Sequence, residues 1–75
     1  MTNALEYAVI IHLAEEGGFW SEVPALPGAG AQGESMEEVI SETTSSIEAV
    51  LESMRARGEV VQPPTDIVVT VRVAA

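Results

Sequence analysis

The residues that could do covalent or metal chemistry in this chain are few, and their spacing argues against it. His12 is the only histidine and there is no cysteine. A lone imidazole without a thiolate or a second neutral ligand makes a poor transition-metal site, so neither a metal nor a cofactor is expected. The serines occur in no Gly-x-Ser-x-Gly elbow. Glu15-Glu16 and Glu37-Glu38 are adjacent pairs whose side chains diverge, which suits neither a general acid–base pair nor a two-metal site. Gly28-Ala29-Gly30-Ala31-Gln32-Gly33 has the spacing of a dinucleotide-binding loop and precedes a helix start. Glu34, however, would stand where a pyrophosphate must sit, and the preceding Pro-Ala-Leu-Pro-Gly is no strand end, so the match is read as coincidence. No catalytic residue is expected, and the chain is read as a non-enzyme.

Charge says more. Twelve acidic residues against Arg55, Arg57 and Arg72, with no lysine, give a formal net charge of -9. Such a field repels phosphate backbones and anionic lipid, and attracts a basic protein. No direct nucleic-acid or membrane contact is therefore expected. The same acids also confer solubility, and charge alone does not separate the two roles. At 75 residues the sequence reads as one domain over 1–75, with 47% apolar residues but a small core and no disulfide to staple it. Self-association into a dimer or tetramer is the expected remedy. No signal-like or membrane-spanning run is evident, so a cytoplasmic location is expected.

The elements that must position these groups follow from periodicity. Leu5 to Ala14 alternates as a strand, with Leu5, Tyr7, Val9, Ile11 and Leu13 on one face and Ala8, Ile10 and His12 on the other. Gly17 and Gly18 form a turn signal after Glu15-Glu16, and Phe19 to Val23 reads as the returning strand. Pro24 to Gly28 is a stiff turn in which Pro27 and Gly28 fix the direction. Ala29 to Gly33 is at best a short third strand whose glycines permit close backbone approach. Ser35 is a helix N-cap with Glu38 at capping-box spacing, and Gly58 is placed as the C-terminal cap. Between them Met36, Val39, Ile40, Thr43, Ile47, Val50, Leu51 and Met54 form an apolar stripe. After Pro63-Pro64, Ile67 to Val73 alternates as a last strand.

The expected architecture is α+β, in the order β-β-β-α-β: one mixed sheet with one helix on one face. The opposite face has no helix to cover it, and Ile10, Trp20 and Val68 are expected there. Adjacent strand residues point to opposite faces, so Phe19 goes to the core and Trp20 to the bare side. Trp20 is the leading candidate for a binding anchor, with Ile10 beside it and Glu15, Glu16 and Glu22 as charges that would steer a basic partner.

Read in order, Tyr7…Ile11, Glu16-Gly17-Gly18-Phe19-Trp20-Ser21-Glu22-Val23, Leu26-Pro27-Gly28, Gln32-Gly33-Glu34-Ser35-Met36-Glu37-Glu38-Val39 and Gly58…Pro63-Pro64 resemble the HicB-like antitoxin family. The resemblance implies a partial ribonuclease-H-like fold, self-association, and binding to HicA, a small basic toxin that degrades messenger RNA. It does not imply nuclease activity, since the strands lack the carboxylates such an enzyme uses for its metals. Many members add a C-terminal ribbon-helix-helix or helix-turn-helix domain, which the sequence through Ala75 does not show, so autonomous operator binding is not expected. Ala29 stands where many members have cysteine. The expectation is an antitoxin that binds and inhibits a basic HicA-like toxin; the alternative is an orphan homo-oligomer with no toxin partner.

Overall fold

The structure, a computed structural model, describes residues 5–64 and 67–74. It comprises β1 (Ile10–Leu13), β2 (Phe19–Glu22), β3 (Gln32–Gly33) and α1 (Met36–Ala56). The three strands form an antiparallel sheet in the order β1-β2-β3. The register pairs Ile10 with Glu22, Ile11 with Ser21, His12 with Trp20 and Leu13 with Phe19. The intervening turn closes through Ala14 N–H to Gly18 O and Gly17 N–H to Ala14 O, both 3.1 Å, with Gly17 and Gly18 at positive φ.

The chain then makes two successive β-turns that share Leu26. Leu26 N–H donates to Val23 O and Ala29 N–H to Leu26 O, each at 3.0 Å. In the second, Pro27 supplies the fixed φ and Gly28, at φ +97, the left-handed corner of a type II turn. Because the turns repeat every three residues, Val23, Leu26 and Ala29 all point inward. They form the buried core with Leu51, flanked by Tyr7, Val9, Ile47, Val50, Met54 and Val61. Burial is thus concentrated under the C-terminal half of α1.

The N-terminal half of α1 is held differently. Ser35 Oγ accepts from Glu38 N–H at 3.1 Å, the forward half of the capping box. One turn on, Val39 is fully buried and sits directly on β3: a Cβ at Gly33 would lie 2.6 Å from Val39 N. At the other end Gly58 N–H bonds to Arg55 O and Glu59 N–H to Met54 O, with Gly58 at φ +77. That is a Schellman motif, in which the left-handed residue costs a glycine nothing.

The helix stripe is wider than the sheet beneath it. Met36 and Ile40, expected to face inward, are about half exposed, because β3 is only two residues long and offers nothing to cover them. The larger departure concerns the final strand. Ile67 to Val73 has strand periodicity, yet it joins no strand of the described sheet and its apolar side chains are 71–86% exposed. The sheet is antiparallel throughout rather than mixed, and the α+β order observed is β-β-β-α. Likewise β1 begins at Ile10 and not at Leu5, since β2 ends at Glu22 and leaves residues 5–9 nothing to pair with. Val68, expected on the bare sheet face, stands outside the sheet.

Candidate binding face and acidic hairpin

On the face of the sheet opposite α1, β1 contributes Ile10 and His12, and β2 contributes Trp20 and Glu22. Strand alternation and the register put these four together as two opposed pairs. The His12 and Trp20 rings stack with centroids 4.0 Å apart and planes at 15°. His12 Nε2 lies 3.5 Å from Glu22 Oε2, an electrostatic contact too long for a good hydrogen bond. That nitrogen is closed off from solvent and has no hydrogen-bond partner among the described residues. Ile10 is 42% and Trp20 40% exposed, against 3% for Val23 two residues past the strand's centre.

Trp20 is central to this face. Ile10 and Glu22 form the pair farthest from the turn, while Glu15 and Glu16 are in the turn itself, exposed. The two groups of expected contact residues therefore flank the tryptophan from opposite ends, about 17 Å apart along the strand direction. Around the hairpin end, an open cleft of about 530 Å³ is lined by Glu16, Trp20, Gln32, Glu34 and Glu38 among others. Three carboxylates edge it, and among the described residues no three acidic or metal-binding side chains converge as a metal site. The cleft is suited to long cationic side chains, which can lay an aliphatic stem on the indole and place the charge among the glutamates.

What holds this face rigid is a set of buried polar ties on the other side of β2. Ser21 Oγ and Thr43 Oγ1 are 2.6 Å apart, and Thr43 donates onward to Val39 O at 2.5 Å. One proton per hydroxyl then makes Ser21 the donor to Thr43. Ser21 Oγ in turn accepts from Ala31 N–H at 3.0 Å, and Gly30 N–H donates to Ser46 Oγ at 3.1 Å. Helix, strand and the loop before β3 are thereby locked in one register, with Thr43 1% and Ser21 6% exposed.

A family model described as "HicB_like antitoxin of bacterial toxin-antitoxin system" matches residues 7–73. The chain belongs to the HicB-like antitoxin family. Two UPF0150 proteins of Synechocystis are similar, one 38% identical over 63% of this chain and 65% of its own length, the other 47% identical over 51% and 52%. A UPF0150 protein of Thermoplasma acidophilum is 36% identical over 73% of this chain and 80% of its own. The matched stretch thus spans less than two thirds of the two Synechocystis relatives. No solved structure matches the chain.

For a HicB-like chain the residues that sequence reasoning passed over are instructive. Alternation alone makes His12 an ordinary strand residue, yet it floors the exposed patch. The pairing of positions 12 and 20 follows only from a hairpin centred on Glu16, one residue ahead of the glycine pair. Ser21, Thr43 and Ser46 had no signal either: Thr43 to Ser46 reads as a run of weak helix formers, and only the packed structure shows which hydroxyls turn inward.

Proposed function

We propose that this chain neutralises a small, basic, mRNA-degrading toxin of the HicA-like kind by covering its RNA-binding surface. The observation that carries this reading is the half-exposed Trp20–His12 stack, with Ile10 and Glu22 beside it, on a sheet face that α1 leaves bare. Family membership supplies the expectation of a toxin, and the -9 charge its sign. Glu15, Glu16 and Glu22 would accelerate encounter; Trp20 would be buried on docking and hold the complex. Action on a toxin that degrades messenger RNA would put the chain in the cytoplasm. It also requires no nucleic-acid contact of the antitoxin's own, which the acidity disfavours. No helix among the described residues is long and apolar enough to cross a membrane.

Titration of the full chain against a cognate basic toxin tests the reading. Micromolar or tighter binding in low salt is expected, and absence of binding under those conditions rules it out. Trp20→Ala should weaken the complex by about 2 kcal/mol or more, roughly 30-fold in Kd, mainly through faster dissociation. Charge reversal at Glu15 and Glu16 should instead slow association and flatten its salt dependence. A second reading is favoured by the exposed apolar segment Ile67–Val73: the chain is a homo-oligomer, dimer or tetramer, whether or not a toxin binds. Sedimentation with and without the toxin separates self-association from toxin capture.

A further inference from the structure

We infer that Ile67–Val73 is a strand that the chain gives to a second copy, where it pairs parallel to the free edge of β1 and fills the open cleft between residues 5–9 and α1. The inference rests on self-association, as proposed above, and goes beyond it by naming the segment and the edge; it does not depend on toxin binding.

Among the described residues two stretches lack a pairing partner, and they match. Residues 5–9 continue the alternation of β1 past the point where β2 can reach. On its outer side β1 is an edge along its whole length, because the sheet order begins with it. Beside that edge lies an open cleft of about 410 Å³, lined by the apolar bodies of Leu5, Tyr7, Val9, Ile47 and Leu51, with Glu48 and Arg55 among its polar side chains. Tyr7 OH is shut off from solvent there without a hydrogen-bond partner among the described residues. The missing piece is a strand with one apolar face toward α1. Ile67, Val69, Val71 and Val73 provide such a face, and seven residues of strand span about 23 Å, enough to run along residues 5–11. Direction follows from topology: β3 is antiparallel to β2 and β2 to β1, so a strand returning after α1 along the β1 edge runs parallel to β1.

The chain's own edge is not what the segment occupies. Its apolar side chains stand 71–86% exposed, and the molecule extends 46 Å along one axis against 28 and 23 Å along the others. The radius of gyration is 14.3 Å, whereas a compact chain of this length has about 11 Å. Pro63-Pro64, which lack amide protons and hold an extended backbone, precede the segment and stiffen its exit. Each copy therefore presents one donor strand and one acceptor edge. Reciprocal exchange about a twofold axis satisfies both at once and leaves no apolar edge to recruit further chains.

The absence of native cysteine makes the test direct. Full-length Ile10→Cys/Thr70→Cys protein is prepared unlabelled and nitrogen-isotope-labelled, mixed while unfolded and refolded together, treated with a short bismaleimide, and its cross-linked peptides are weighed. Exchange predicts linked peptides that join one labelled and one unlabelled chain; links confined to chains of one label mean the segment has folded onto its own edge and overturn the inference. Sedimentation provides the second arm. The unmodified chain should be dimeric or a multiple of a dimer at micromolar concentration, and Val69→Asp/Val71→Asp should become monomeric with its helical circular dichroism retained. A monomeric unmodified chain, or a variant that remains dimeric, overturns the inference too. Either failure leaves toxin binding untouched, since Trp20 lies on β2, away from the exchanged strand.

Discussion

Gln32–Gly33 is two residues long, has a glycine for half its length, and is hydrogen-bonded to β2. Ile67–Val73 has six β-branched residues in seven and pairs with nothing in the described sheet. By propensity the two assignments would be reversed. The difference lies in what surrounds each segment. Gln32–Gly33 is brought to β2 by the two turns through Pro24 and Pro27, is tied at Ala31 to both the backbone and the hydroxyl of Ser21, and is capped from above by Val39. Ile67–Val73 follows a stiff proline pair and pairs with no strand among the described residues. Strand formation here is a property of available partners, and alternation only states which side chains would face the same way once a partner exists.

The comparison breaks most visibly at Gly33. Its missing Cβ is what lets the backbone of α1 approach to the point where any side chain would meet Val39 N at 2.6 Å and Val39 Cα at 2.9 Å. Both are backbone atoms and neither can rotate aside. Gly33→Val raises β propensity, so a propensity argument expects a gain. The packing argument expects separation of α1 from β3 and a loss of about 3 kcal/mol or more, a large fraction of what a domain of this size has. Urea unfolding followed by circular dichroism decides between the two signs.

Much of this architecture could be read in the sequence, for reasons that are local. The Gly17-Gly18 turn, the Ser35 cap and the Gly58 stop depend on one residue's own backbone preference, and the inward face of α1 from Val39 to Met54 depends on a period of 3.6. Leu26 and Ala29 escaped because a run of turns has no sheet or helix period, and its inward positions recur every third residue. The final strand was assigned from alternation alone, and its pairing depends on which backbone lies beside it. For the candidate binding face, Trp20 and Ile10 were legible from strand alternation, whereas the cleft edged by Glu16, Glu34 and Glu38 needs the helix N-terminus folded back beside the hairpin.

A smaller effect isolates what tethers the weak strand. Ser21 Oγ both donates to Thr43 and accepts from Ala31 N–H, so Ser21→Ala removes two bonds at once and leaves Ala31 N–H without its acceptor, while Thr43 keeps its bond to Val39 O; Thr43→Val takes away one hydroxyl and leaves Ser21 its bond from Ala31. Ser21→Ala should therefore cost about 2 kcal/mol and Thr43→Val about 1 kcal/mol. In the double variant the two losses should fall short of additivity, because each removes the shared 2.6 Å contact. Full additivity in chemical denaturation would mean that the two hydroxyls act separately and that α1 is not registered on β2 through them.

The smallest effect is expected where β propensity is greatest. Val71 is 73% exposed in the single chain, so Val71→Ser removes little contact that the monomer makes. At concentrations where the chain is monomeric, the unfolding free energy should move by less than about 0.5 kcal/mol, as for other exposed positions. If the segment instead folded onto its own β1 edge, Val71 would be buried against α1, and the same substitution would cost about 1 to 3 kcal/mol at every concentration. Under exchange the cost appears only as concentration rises and dimers form, because the contact is made in the second copy. A dilution series of melting curves for Val71→Ser and the unmodified chain thus distinguishes a strand with no partner, a strand paired within its chain and a strand paired across copies.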